Sequence, residues 1–267
     1  MTDDRRRALD AFLASMQAAC EVIEESWGTL VRNAEFHRLH MANFLWLRSL
    51  PPGGLDAALG RMDDAFTPYG IRDRPVYVED PDLSRRLAPE LERRGYAGRP
   101  EFTMYARRPP DLAANPAVSL RPTRDQATRD DHDAVAGLID EEDGYDHEVS
   151  HQLRAIHWRR EKELDGEGFV AYLAGQPVGT IALQVIGSVG ILYDVQTLPG
   201  ARRKGVAATA VLHALSRAHA KGAELAFLVT PVGAAGYRLY EKLGFVREGT
   251  LDGYLRLEPT GAALTAR

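Results

Sequence analysis

The feature that most constrains this chain is that its structural punctuation occurs twice. Val76 to Tyr96 (VYVEDPDLSRRLAPELERRGY) and Leu225 to Phe245 (LAFLVTPVGAAGYRLYEKLGF) each read as strand, Pro-containing loop, helix, glycine and aromatic. Gly95 and Gly244 stand 149 positions apart. Independently, Leu50-Pro51 and Leu198-Pro199 stand 148 apart, and each opens a Gly-containing turn before a helix. Two nearly equal offsets imply duplication of one α/β unit. A chain of 267 residues has room for two such units. The linker between them is Arg107 to Pro116 (RRPPDLAANP), where three prolines and an Asn interrupt helix and ladder alike. Domains over residues 1–109 and 117–260 are therefore expected.

The second unit is the more legible. Asp131 to Glu142 reads as a capped amphipathic helix with Ala134, Val135, Leu138 and Ile139 inward, and Val149 to Leu164 as a second helix. Three apolar runs follow, Gly168 to Ala174, Val178 to Ile186 and Val189 to Gln196, separated by glycine turns, which predicts an antiparallel meander. Lys204 to Lys221 changes to helical spacing and stops at Gly222. Leu225 to Thr230 is a strand, Ala235 to Leu243 a helix, and Phe245 to Glu248 and Tyr254 to Leu257 two further strands. Strands on both sides of a helix require a crossover, so the fold class is α/β with a mixed central sheet flanked by helices, in two tandem copies.

Chemistry concentrates where Val195-Gln196-Thr197 runs into Leu198-Pro199-Gly200-Ala201-Arg202-Arg203-Lys204-Gly205-Val206-Ala207-Ala208. Backbone N–H groups at a helix N-terminus attract anions, three cations reinforce them, and the small residues Gly205 and Ala207 let a pyrophosphate approach. The pattern is neither a Walker loop nor a dinucleotide fingerprint. Arg-x-x-Gly-x-Ala after a Val-containing strand resembles the acetyl-CoA motif of the GCN5-related N-acetyltransferase (GNAT) superfamily. Leu239-Tyr240-Glu241-Lys242-Leu243-Gly244-Phe245 resembles that superfamily's C-terminal signature. The resemblance spans roughly residues 118 to 258.

That resemblance implies an N-acetyltransferase that moves an acetyl group from acetyl-CoA to a primary amine of a small molecule or peptide, by direct attack in a ternary complex. It implies that Val195 and Thr197 pair with the pantetheine arm where two strands splay, that Arg202, Arg203, Lys204, Gly205, Val206, Ala207 and Ala208 hold the pyrophosphate, and that Tyr240 sits near the thioester sulfur. Gly233 stands where the family often has an Asn. The first half has a turn without cations, Leu50 to Leu55, and Leu91 at the position of Tyr240, so it reads as a degenerate copy. The other function class is a catalytically silent acyl-CoA-binding regulatory module.

An alkyl amine is mostly protonated at neutral pH, so a base or water chain must take its proton. Asp194, Glu141 and Glu142 are the candidate bases. Asp140, Glu141, Glu142, Asp143, Asp146 and Glu148 crowd one loop, a field that steers a cationic acceptor. The net charge of -5 argues against nucleic acid. Cys20 is the single cysteine and the eight histidines lack metal spacing, so no metal is expected. No apolar stretch is long enough for a membrane span, and a cytoplasmic location is expected. Trp27, Trp46 and Trp158 read as core or interdomain anchors.

Overall fold

The computed structural model describes residues 2–234 and 236–257. In chain order the elements are α1 (Asp3–Gln17), β1 (Glu21–Glu25), β2 (Gly28–Arg32), β3 (Phe44–Leu47), α2 (Gly54–Phe66), β4 (Arg74–Val78), α3 (Pro81–Arg93) and β5 (Ala97–Ala106). The second half contributes β6 (Val118–Pro122), α4 (Gln126–Glu142), α5 (His147–Glu163), β7 (Glu167–Leu173), β8 (Gln176–Ile186), β9 (Val189–Thr197), α6 (Val206–Ala220), β10 (Leu225–Pro231), α7 (Tyr237–Lys242) and β11 (Val246–Arg256). Residues 258–260 of the expected second domain and Ala235 at the expected start of its last helix lie outside the described residues.

All strands form one mixed sheet in the order β1-β2-β3-β4-β11-β5-β10-β9-β8-β7-β6. The expected meander is present as β7-β8-β9, and the parallel pairs are β3 with β4 and β9 with β10. At the centre, each half lends its last strand to the other. β11 pairs with β4, β5 pairs with β10, and β5 and β11 pair with each other. The 107–116 linker thus separates two units whose sheets are hydrogen-bonded together. The two expected strands after Phe245 are one continuous strand: a bulge between Arg247 and Gly249, with Gly249 at φ +145, bends it without ending it.

One face is covered by α2 and α3, which pack Leu59 and Leu91 over Leu30, Leu45 and Val76, and by α6 and α7, over Leu183, Leu192 and Leu228. On the other face α1 crosses from its own half onto β8, β9 and β10, burying Leu9 and Leu13 against Trp46, Ile191 and Phe227. Arg160 on α5 locks this joint: its buried guanidinium donates to the carbonyls of Met16, Ala18 and Met41.

The first helix of the second half starts earlier than its apolar pattern suggests, because Asp125 caps it by accepting from the Thr128 N–H at 2.9 Å. Its inward face is also rotated. Val135 and Ile139 are buried, but Leu138 is 53% exposed and Ala134 is exposed, while His132 and Asp140 point inward. Burying polar residues there follows from what that helix covers, a polar cavity described next.

Candidate active site

β9 and β10 pair only from Leu225–Val189 to Phe227–Ile191, yet they continue to Thr197 and Pro231. The wedge originates on the other side of β9. Asp194 and Val195 both stand opposite Ile181 of β8, and Asp194 adopts φ +50. Such a bulge turns the strand away from its neighbour. A non-glycine residue in this region costs on the order of 1 kcal/mol. The buried Thr180 hydroxyl offsets that strain by donating to the Asp194 carbonyl at 3.1 Å. The first half has no wedge: β3 and β4 stay paired to Leu47–Val78, and the Glu79 N–H donates to the Leu47 carbonyl at 3.0 Å.

The wedge ends at the basic turn. Gly205 precedes α6 with φ +77 and Arg203 has φ +65. The N–H groups from Arg203 through Ala208 have no acceptor among the described residues. An ordinary helix start leaves four such donors, and here the turn extends the row. Arg203 and Lys204 are exposed beside it. Arg202 instead donates from Nε to the Thr197 carbonyl at 3.0 Å and pairs with Glu142. The linker residue Asn115 braces the turn, its amide donating to the Lys204 carbonyl at 2.8 Å and its N–H to Thr209 Oγ1 at 3.0 Å. Sequence reasoning missed Asn115, which reads as linker punctuation. Gly53 before α2 has the same left-handed conformation, φ +93, but neither cations nor a wedge beside it.

Tyr240 lies on the α6 and α7 side, with its ring against Phe245 at 5.9 Å. Burial pushes its pKa up to about 12, so the hydroxyl remains a proton donor at neutral pH. Leu91, its counterpart, is a fully buried core residue.

On the opposite face, Asp194 meets a cluster absent from the sequence reading. His157 Nδ1 lies 2.8 Å from Asp194 Oδ2, and His132 stacks on His157 with centroids 4.6 Å apart. Burial alone would raise the Asp194 pKa, but the His157 hydrogen bond and charge outweigh it and hold the carboxyl below its ordinary value. Nε2 of both histidines is buried without a hydrogen-bond partner among the described residues, and Glu161 Oε2 stands 3.7 Å from that of His157. A cavity of about 80 Å³ touches Asp194, Gln196, His157, Met41 and Leu153. Met41 and Leu153 also border a larger cavity of about 320 Å³ between the halves, lined by Tyr77, Arg99, Glu101 and Tyr145.

The structure thus brings Asp194, Val195, Thr197 and the 202–208 turn together around one wedge. It leaves Glu141 and Glu142 outside both cavities. Glu142 is exposed and its Arg202 hydrogen bond lowers its pKa, the opposite of what a base needs. The acidic loop is mostly neutralised as well: Asp140 is buried against Ser150 and Arg154, and Asp146 caps α5 and shares Arg38 with Glu148. Trp158 donates to Asp133 and packs on His132, while Trp27 and Trp46 are core. Among the described residues no group of three or more His, Cys, Asp or Glu is placed to hold a metal ion, and no helix is long and apolar enough to cross a membrane.

The fold is thus a mixed α/β sheet with a splayed parallel pair and, at the end of the splay, a turn whose free N–H groups suit an anion. Residues 132–245, within the second half, match the model of the Acetyltransferase (GNAT) family. A GCN5-related N-acetyltransferase from Kribbella flavida is similar over 97% of both chains, with 18% identity and a TM-score of 0.68. A functionally unknown conserved protein from Staphylococcus epidermidis aligns with 91% of this chain and 96% of its own, at 11% identity and a TM-score of 0.73. A tandem GNAT protein from the clavulanic acid biosynthesis pathway covers 97% of each chain at 11% identity and a TM-score of 0.56. At these identities the likeness is one of fold. No curated protein matches the sequence.

Proposed function

We propose that the chain is an N-acetyltransferase that delivers an acetyl group from acetyl-CoA to a primary amine by direct attack in a ternary complex. One observation carries this reading: the open wedge between β9 and β10 leads into six unpaired N–H groups, Arg203 to Ala208, in the second half alone. Those donors, with Arg203 and Lys204, suit a pyrophosphate. The unpaired β10-facing edge of Val195 to Thr197 suits an amide-bearing arm.

Acetyl-CoA supplies the acetyl group as a thioester. A backbone N–H near Val195 stabilises the oxyanion, and Tyr240 gives its proton to the departing sulfur. Asp194 is a weak base at its lowered pKa, and His157 fixes its orientation. The first half has a closed strand pair and Leu91 in place of a tyrosine, so it serves as scaffold and acceptor wall.

A mass-spectrometric assay of the full chain with acetyl-CoA and a panel of amines, amino acids, aminoglycosides and peptides tests the activity. Acetylated product with free CoA in equal amount is expected. Acetyl-CoA binding without transfer to any amine favours the silent regulatory module.

A further inference from the structure

The larger cavity is lined by one half-buried carboxylate and one exposed guanidinium, Glu101 and Arg99, that have no partner among the described residues. β5, lent by the first half, lies beside β10 with Glu101 opposite Pro231, past Phe227, where β10 has already left β9. Glu101 therefore flanks the wedge. It shares a strand face with Thr103 and Tyr105, and Tyr105 packs with α1, which places Glu101 on the side of Asp194 and His157. The walls around it include Tyr77, Tyr145 and Leu153.

Glu101 makes no hydrogen bond or ion pair among the described residues, and burial pushes its pKa up to about 7. A desolvated carboxylate without a partner opposes folding, and such groups mark sites that a ligand completes. Of the other charged groups on these walls, Arg38 is held by Asp146 and Glu148 and His40 by Asp73 at 2.7 Å. Arg99 has no partner among the described residues. Strand geometry puts it about 7 Å from Glu101 on the same face, and the two do not pair with each other. An unpaired anion and cation over aromatic walls complement a dipolar ligand.

We propose that this cavity is the acceptor site, that Glu101 receives the acceptor's ammonium group and takes its proton, and that Arg99 selects a compact amine carrying a carboxylate. The inference rests on the acetyltransferase reading above. One proton leaves the ammonium nitrogen for Glu101, and the free amine attacks the thioester carbonyl. As the C–N bond forms and the C–S bond breaks, Tyr240 protonates the sulfur. Glu101 then passes its proton to solvent and the second nitrogen proton follows, while Tyr240 takes one proton back, so one proton is released per turnover.

The test is acetyl transfer by the full chain to matched probes: L-phenylalanine against 2-phenylethylamine and L-leucine against isopentylamine. The amino acid of each pair is expected to have the higher kcat/KM by about 10- to 100-fold, the worth of one charge-assisted bond. Arg99→Ala brings that ratio to about one. Glu101→Gln lowers kcat by about 10² to 10⁴ with little change in KM and removes the acid limb near pH 7 from the rate profile. A wild type that prefers the decarboxylated amines, an Arg99→Ala variant with an unchanged ratio, or a Glu101→Gln variant with wild-type turnover overturns the proposal. Binding of acetyl-CoA with no transfer to any of the four probes overturns it too, whereas failure to bind acetyl-CoA overturns the acetyltransferase reading itself.

Discussion

His157 Nδ1 and Asp194 Oδ2 meet at 2.8 Å, joining α5 to the bulge that opens the sheet. The pair holds a carboxylate ionised in a confined place, and its pH signature follows. Because the folded-state pKa of Asp194 is lowered, its contribution to stability is fully present above about pH 4, its ordinary value, and disappears as pH falls through the folded-state value. The side chain is 37% exposed, which moderates the effect. Asp194→Asn is expected to lower Tm at pH 7 by about 2 to 4 °C, with the gap to wild type closing below pH 4 in calorimetric scans.

Glu101 has the opposite sign. Its folded pKa of about 7 means that the fold keeps a proton the unfolded chain has already released, so wild-type stability falls as pH rises from about 4 to 7. Glu101→Gln should therefore raise the Tm of the ligand-free protein by several degrees at pH 8 and leave it unchanged at pH 4. Equal shifts at both pH values would show that Glu101 is not desolvated.

Tyr240→Phe removes a hydroxyl without emptying the space its ring fills. The dissociation constant for acetyl-CoA should hold, while kcat falls by about 10² to 10⁴. Single-turnover kinetics would show whether the loss lies in the chemical step, and an unchanged single-turnover rate would return Tyr240 to a packing role.

Asn115→Ala deletes the brace on the Lys204 carbonyl but touches neither wedge nor cavity. Acetyl-CoA affinity should fall by about 3- to 10-fold, the worth of one neutral hydrogen bond, with kcat preserved at saturation. Titration calorimetry and saturating-rate measurements separate the two.

Local periodicity made the second half readable, since the meander, the Gly205 turn and the helix after it follow one another without interruption from Glu167 to Ala220. Which strand pairs with which was not readable. Leu251 to Arg256 carries the same apolar pattern whether it neighbours β4 or β10, so the exchange of β5 and β11 is decided by tertiary packing. Leu138 was misassigned because apolar spacing takes no account of a cavity, and the helix instead turns His132 and Asp140 inward. Glu101 and His157 gave no local signal, because their roles come from elements far apart in sequence: Glu101 faces Tyr77, and His157 faces a bulge whose positive φ falls on an ordinary-looking Asp194.

The most direct test is calorimetric titration of the full chain with acetyl-CoA, beside the exposed charge reversal Arg203→Glu/Lys204→Glu, which disturbs no contact in the fold. One molecule should bind per chain, and the double variant should lose about 100-fold or more in affinity at 0.1 M salt. Two equivalent sites per chain, or a variant that binds as tightly as wild type, would contradict the assignment of the wedge and turn of the second half as the acetyl-CoA site.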